Sequence, residues 1–482
     1  MNEGVIVGKY TLGSLTNGMY SDPLDLFREY IQNAVDSIDY AVEQYLDIIE
    51  NFEIQVCVDE LAGEIRIRDN GCGVKKSRIR RTLIDIGNSQ KDKKKSRGFR
   101  GIGRLAGLGY CEKLLFITSA QGEKVKSIVR FDTLTLRKLM FQNDTSLVSV
   151  DDVLSKIITI TKEEEEENKH YFEVILEGVM QGDKLLNLEE VENYLLQHAP
   201  IPFDQKFYWA STIKEKTRII GYDIPEYKIL LNGKQLYKPY KNTFLCDRVK
   251  KREDSIYDVD VKAFYRDGKL TAILWYGVIG FYGTVLDNQI KGIRIRQGNI
   301  LIGDKSTCNA FFKEDRFNGW LIGELHVIDP ELIVNARRDY FEQNEAHYDL
   351  SENFIEWSTA KTKELRKISS DRSLEDNSKR IVDAEKIEDV NDLMIESMEI
   401  DFGEGDLLDR DESEEIAQTD FIDKLAWILN QKKCQTRYLV LNINEKLTND
   451  QKRTLERVFD IVMEEYKKKE ADGFINTIAS NF

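Results

Sequence analysis

The chain has 482 residues, 41% of them hydrophobic and 32% charged, which suits a protein with more than one hydrophobic core and argues against a disordered one. Acidic residues outnumber basic ones 85 to 69, a net charge of −16, so polyanions are repelled unless the basic residues cluster. No apolar run is long enough to cross a membrane, and Met1-Asn2-Glu3-Gly4 lacks the basic-then-apolar layout of a signal peptide.

In chain order, Ser21-Asp22-Pro23 opens a helix: Asp22 caps it and Pro23 suits its first position. Leu24, Phe27, Ile31, Ala34, Val35 and Ile38 then recur at helical spacing. Phe52 to Asp59 and Glu64 to Arg68 alternate like strands, with Leu61-Ala62-Gly63 as the turn between them. Further strands are expected at Leu114 to Ser119, Lys126 to Phe131, Ile157 to Thr161 and Tyr171 to Leu176. The mixture predicts an α+β fold: a mostly antiparallel sheet with helices on one face. The glutamate run Glu163 to Glu167 reads as a solvated loop.

The pattern pauses at Ala199-Pro200-Ile201-Pro202, which sets a first domain of 1–200. A second, strand-rich α/β domain of 201–350 follows, with its clearest runs at Tyr227 to Leu231, Leu270 to Tyr276 and Ile293 to Ile302. Residues 351–482 are expected to be an acidic linker, flexible over 370–415, and then a mainly helical region. In that last region Thr448 and Gln451 form a capping box, and Leu455, Val458, Phe459 and Val462 form a stripe suited to core packing or dimerisation.

Three local patterns carry chemistry. On a helix, Glu29, Asn33 and Asp36 share one face, placing two acids and an amide on one wall. An acid there can orient or deprotonate water, and an amide oxygen suits Mg²⁺. The second is Asp69-Asn70-Gly71-Cys72-Gly73 at a strand end, where a carboxylate can accept from an exocyclic amine and two glycines admit a flat ring. The third is Gly98-Phe99-Arg100-Gly101-Ile102-Gly103, leading into a helix over Arg104 to Tyr110 whose bare first N–H groups suit phosphate. It lacks the Gly-Lys-Ser/Thr ending of a P-loop. The six cysteines form no CxxC pair and only four histidines exist, so neither a disulfide framework nor a histidine metal site is expected.

In this order, the three patterns resemble the GHKL superfamily of gyrase, the heat-shock protein 90 chaperones, histidine kinases and MutL. The resemblance implies a Bergerat-type α/β sandwich that binds ATP and Mg²⁺ and hydrolyses ATP. It makes Glu29 the general base and Asn33 the residue tying Mg²⁺ to the phosphates, with Asp36 supporting the pocket. Asp69 becomes the adenine-reading carboxylate, and Gly71 and Gly73 shape its wall. Gly98, Gly101, Ile102 and Gly103 become the phosphate-contacting end of a lid that starts at Gly87-Asn88-Ser89-Gln90-Lys91, with Lys91 reaching the phosphates. The family's threonine supporting the adenine-site aspartate is not evident at Lys169-His170-Tyr171-Phe172.

Leu332-Ile333-Val334-Asn335-Ala336-Arg337-Arg338-Asp339 resembles the middle-domain loop of the heat-shock protein 90 chaperones, whose arginine reaches the γ-phosphate; Arg338 aligns with it, and Arg337 is its neighbour. This branch implies a cytoplasmic, homodimeric clamp remodelling a protein client. The alternative is a DNA-manipulating ATPase similar to MutL or the MORC proteins, in defence or repair, which the net charge disfavours.

Overall fold

The computed structural model describes residues 8, 22–44, 51–85, 103–141, 149–180, 183–247 and 251–398, with side chains to 371. The chain divides into two compact units, Met1–Val382 and Asp383–Phe482. Apart from the end of the last helix, every element below lies in the first.

Helix α1 is Asp25–Gln44. Asp22 caps its entry: its Oδ1 accepts the Leu24 N–H at 3.0 Å and its carbonyl accepts the Asp25 N–H at 3.0 Å. The expected apolar stripe is buried, with Leu26, Phe27, Ile31 and Val35 at the centre of the core. Strands β1 (Glu53–Asp59) and β2 (Glu64–Asp69) form an antiparallel hairpin. Then come β3 (Lys113–Ser119), β4 (Val125–Asp132), α2 (Thr133–Phe141), α3 (Val150–Ile157), β5 (Ile158–Glu164) and β6 (Tyr171–Glu177). In β1, Ile54, Val56 and Val58 are buried while Gln55, Cys57 and Asp59 are exposed, so one sheet face meets the helices and the other meets water.

Helices α4 (Leu188–His198) and α5 (Ala210–Ile219) precede β7 (Lys228–Leu231) and β8 (Lys234–Gln235). The eight-stranded sheet runs β5-β4-β3-β6-β2-β1-β7-β8, antiparallel except where β7 lies parallel to β1. The run at Tyr227 to Leu231, which the sequence places in the second domain, therefore extends the first sheet past the pause at Ala199–Pro202. The glutamate run also differs from expectation. Glu163 and Glu164 end the edge strand β5, Lys126 pairs with Glu163 at 3.1 Å, and the Tyr171 hydroxyl donates to Glu165 at 2.8 Å. Charge on an edge strand is compatible with a ladder whose side chains stand in solvent.

A second, six-stranded sheet contains β9 (Thr243–Asp247), β10 (Arg252–Arg266), β11 (Lys269–Ile279), β12 (Gly292–Gln297), β13 (Ile300–Leu301) and β14 (Ile322–Val327), in the order β13-β12-β14-β11-β10-β9. The predicted strand over Ile293 to Ile302 is broken into β12 and β13 by Gly298 and Asn299, both at positive φ as a tight hairpin demands. Its core also takes in α5 through Ile213 and the start of α6 (Glu345–Met398) through Leu350, Phe354 and Leu365. The flexible linker expected from 370 is helical as far as Met398, because no glycine or proline interrupts the chain there. The rest of that segment, and the capping box and stripe beyond it, lie outside the described residues. No helix among the described residues is long and apolar enough to cross a membrane.

The two sheets meet through buried charge. Arg296 on β12 donates from Nη2 to the Gln197 carbonyl at 2.8 Å, and Arg294 donates from Nε to the Gln197 side chain at 2.8 Å. Both arginines grip the C-terminal end of α4, where the helix dipole favours cations. Arg296 Nε also pairs with Glu324 of β14 at 2.5 Å. Lys238 donates to the other Glu324 oxygen at 2.6 Å, and Tyr240 at 3.1 Å, Trp275 at 3.2 Å and His326 Nε2 at 3.1 Å add further donors. Burial alone would raise the Glu324 pKa; Arg296 and Lys238 outweigh it and hold the carboxyl well below the usual range.

Candidate functional site

Two of the sequence patterns, and Gly103 from the end of the third, come together on α1. Asp69 ends β2 and is buried, and its Oδ1 accepts the Ser37 hydroxyl at 3.0 Å and the Gly71 N–H at 2.9 Å. The Cys72 N–H donates back to the Ser37 carbonyl at 3.3 Å, so one residue of α1 stitches the Asp69–Gly73 loop to the helix. Beyond it Gly73 has φ +60, and a Cβ there would run into the Ser119 carbonyl; the left-handed turn and the close approach both require glycine. The loop is held from the sheet as well. The Val74 N–H donates to Thr118 Oγ at 2.9 Å, and that hydroxyl donates to the Tyr171 carbonyl at 2.7 Å. His170, in the tautomer protonated at Nδ1, donates to the Gly71 carbonyl at 2.7 Å.

Glu29 sits two turns earlier on α1 and is 7% exposed. Gly103 lies against its carboxylate so closely that a Cβ would collide with Oε2. From the other side, Arg338 Nε reaches Glu29 Oε1 at 2.8 Å. Asn33 and Asp36, along the same face, are half-buried. From Glu29 to Ser37 the helix rises about 12 Å at 1.5 Å per residue.

The loop after β14 delivers Arg338 by an unusual backbone. Val334 bridges to Phe341, the Arg338 N–H donates to the Asn335 carbonyl at 3.2 Å, and the Gly303 N–H donates to the Arg338 carbonyl at 3.0 Å. Pinned on both sides, Arg338 adopts φ +59, a left-handed conformation that costs a non-glycine residue about 1–2 kcal/mol. Such strain persists only where its surroundings impose it. The preceding carbonyl, of Arg337, accepts from Arg28 Nη2 at 3.1 Å, and Arg28 pairs with Asp25 at 3.1 Å. Asp25 in turn accepts the Tyr194 hydroxyl at 2.8 Å, and Tyr194 stacks on His198 at 3.9 Å. Burial, with Arg28 adding to it, pushes His198 down to about 3.

The α-helix expected over Arg104 to Tyr110 is a seven-residue 3₁₀ helix, Gly103–Gly109, since three glycines in so short a run disfavour the α form. Arg104 ties this segment to the chain before it, donating to the carbonyls of Leu83, at 3.2 Å, and Asp85. Burial lowers Arg104 to about 10. Gly87 to Lys91, Gly98, Gly101 and Ile102 lie outside the described residues.

Sequence reasoning leaves open what supports Asp69. The structure supplies Ser37, one residue past the polar row of α1, together with Thr118 and His170 on the loop behind it. Arg28 and Tyr30, which flank Glu29, also escape the pattern: both belong to the buried side of the helix, where polarity is easily read as incidental.

A strand-end carboxylate held by two donors, an acid facing a glycine, and a helix joining them lie together in a domain of mixed α+β type. The family model described as "Histidine kinase-, DNA gyrase B-, and HSP90-like ATPase" matches residues 27–169, so the part of the chain that carries these residues is similar to a GHKL-type ATPase domain. No curated protein matches the chain.

Among the described residues no group of three or more His, Cys, Asp and Glu could hold a metal ion. Mg²⁺ bound to a nucleotide needs no such cage, because it keeps several waters and takes phosphate oxygens. The amide of Asn33, one turn from Glu29, is the kind of donor that arrangement uses.

Proposed function

We propose that the chain is an ATP-driven conformational clamp of the heat-shock protein 90-like kind, acting on a protein client or partner. The observation that carries this reading is the 2.8 Å contact between Arg338, on a loop of the second sheet, and Glu29, on the helix of the ATPase domain. A guanidinium delivered from outside the nucleotide domain to its acidic residue suits charge developing on phosphoryl oxygens, and it couples the second sheet to the state of the nucleotide.

In this reading Asp69 accepts the adenine amine, with Gly71 and Gly73 leaving room for the ring. Asn33 holds Mg²⁺, which when bound neutralises phosphate charge, and Asp36 supports the wall. Lys91, Gly98, Gly101, Ile102 and Gly103 contact the phosphates. Glu29 orients water and takes its proton, and Arg338 stabilises the charge that develops on the transferred phosphoryl group. The distance along α1 from Ser37, which holds Asp69, to Glu29 is compatible with a nucleoside triphosphate laid from base to γ-phosphate.

The test is a pair of variants. Glu29→Ala is expected to bind ATP within about threefold of the wild type and to lose turnover by a factor on the order of 10²–10⁴, the usual contribution of a general base. Asp69→Asn is expected to lose ATP binding itself. Normal turnover in the first or normal affinity in the second removes the corresponding assignment. Turnover stimulated by duplex DNA in a salt-dependent way would replace the client-clamp reading with a DNA-manipulating one.

A further inference from the structure

Glu29 is flanked on α1 by Tyr30, a buried residue that the ATPase reading leaves without a role. Tyr30 is 2% exposed, and its ring belongs to the core around α1. Its hydroxyl is not a passive tip. It accepts the Gly107 N–H at 2.9 Å and donates to the Arg104 carbonyl at 3.2 Å, spanning the two ends of one turn of the Gly103–Gly109 segment. Space has been cleared for it: a Cβ on Gly107 would stand 2.6 Å from the Tyr30 oxygen. At the head of the same turn is Gly103, whose missing side chain lets it lie against the Glu29 carboxylate.

We propose that Tyr30 is a positioning residue for ATP hydrolysis, its hydroxyl fixing the Gly103–Gly109 turn against α1 so that Gly103 and the Glu29 carboxylate keep their separation. The inference rests on the reading of Glu29 as the general base. Physically, two consecutive residues divide the work. Residues 29 and 30 project about 100° apart around the helix. Glu29 therefore faces the reacting region while Tyr30 reaches the backbone of the segment that forms its opposite wall. The tyrosine ring is locked by the core, so the hydroxyl is a rigid reference point. A buried N–H left without its acceptor is unfavourable, and the turn relieves that cost by moving. Movement of about 1 Å at a reacting centre is enough to cost on the order of 10²-fold in rate.

Tyr30→Phe is the decisive variant, since it deletes one oxygen and keeps the packed ring. The expected result is a fall of about tenfold or more in the kcat for MgATP, measured well below the melting temperature. The affinity for MgADP, anchored at Asp69, should stay within about twofold. A purely structural hydroxyl would lower the melting temperature and leave kcat unchanged at low temperature, and that result overturns the proposal. Gly107→Ala supplies a second measurement, because its methyl displaces the same hydroxyl from the other side. Its loss of kcat should be smaller in the Tyr30→Phe background than in the wild type, and full additivity counts against the shared contact. Glu29→Gln run alongside separates the two failures. If it retains turnover, the base assignment falls and takes this proposal with it; if it is inactive while Tyr30→Phe is normal, the Tyr30 proposal alone fails.

Discussion

Among the described residues two buried glutamates are paired with arginines, and their surroundings differ. Glu324, fully buried between β12 and β11, receives Arg296, Lys238, Tyr240, Trp275 and His326 on its two oxygens, and Arg296 continues to the carbonyl of Gln197. Glu29 lies at the rim of α1, with Arg338 on one side and a glycine on the other. A carboxylate saturated by donors inside two packed layers has no capacity left for chemistry; it fixes the joint between the sheets. A carboxylate whose near partner is an arginine from a strained loop, with Arg28 4.0 Å away and a residue without a side chain beside it, has far fewer donors than Glu324 and can exchange that partner for another. Surroundings decide the role, since the residue types are the same.

The comparison can be broken most sharply at Glu324. Glu324→Gln leaves Arg296 and Lys238 buried without their counter-charge, and a loss of about 3–5 kcal/mol in folding stability is expected from urea unfolding. The Glu29→Ala variant should do the reverse, moving the rate and sparing stability. Equal destabilisation by the two substitutions would erase the distinction.

Arg338→Ala tests the exchangeable side. Its pair with Glu29 is mostly buried, at 18% and 8% side-chain exposure, so its removal should lower folding stability by about 1–3 kcal/mol, less than at Glu324. Turnover of MgATP should fall on the order of 10²-fold, the usual cost of removing one preorganised group that stabilises transition-state charge. A variant with wild-type turnover would make the contact an incidental ion pair between the sheets.

The smallest effect is in pH. Burial, the first cause in both, pushes His198 down to about 3 and His326 to about 4, so both stay neutral when folded while the unfolded chain takes up protons near 6.5. The unfolded state then binds more protons than the folded one. Stability is full above about pH 6.5 and falls as the pH drops below it, by up to about 1.4 kcal/mol per pH unit for each histidine. Urea midpoints at pH 7.5 and 5 should show this loss, and His198→Asn should reduce the slope. An unchanged slope would mean that His198 is accessible to protons in the folded chain.

Much of the first domain was legible because its signals are local. A capped amphipathic helix at Asp22 to Gln44, alternating strands, and the Glu29 and Asp69 patterns each occupy a few consecutive residues, so helical and strand periodicity reveals them directly. Strand boundaries agree with the structure within one residue at β1 to β4 and β6, β5 runs three residues past the expected Thr161, and Gly73 falls where backbone approach demands glycine. The expected linker over 370–415 is helical as far as Met398, because acidic composition resembles disorder even where no residue interrupts a helix. The strand Tyr227 to Leu231, expected in the second domain, joins the first sheet beside β1, since no feature of a short apolar strand names its neighbour.

By itself, then, the sequence determined which groups this protein has for chemistry and which secondary elements carry them. Only the tertiary structure decided that Ser37 holds Asp69, that Arg338 meets Glu29, that Tyr30 bridges Arg104 and Gly107, and that Glu324 is a buried joint. Each of those contacts joins residues far apart in the chain, and such pairings are selected by the packing of whole sheets and helices, which no short window of residues encodes.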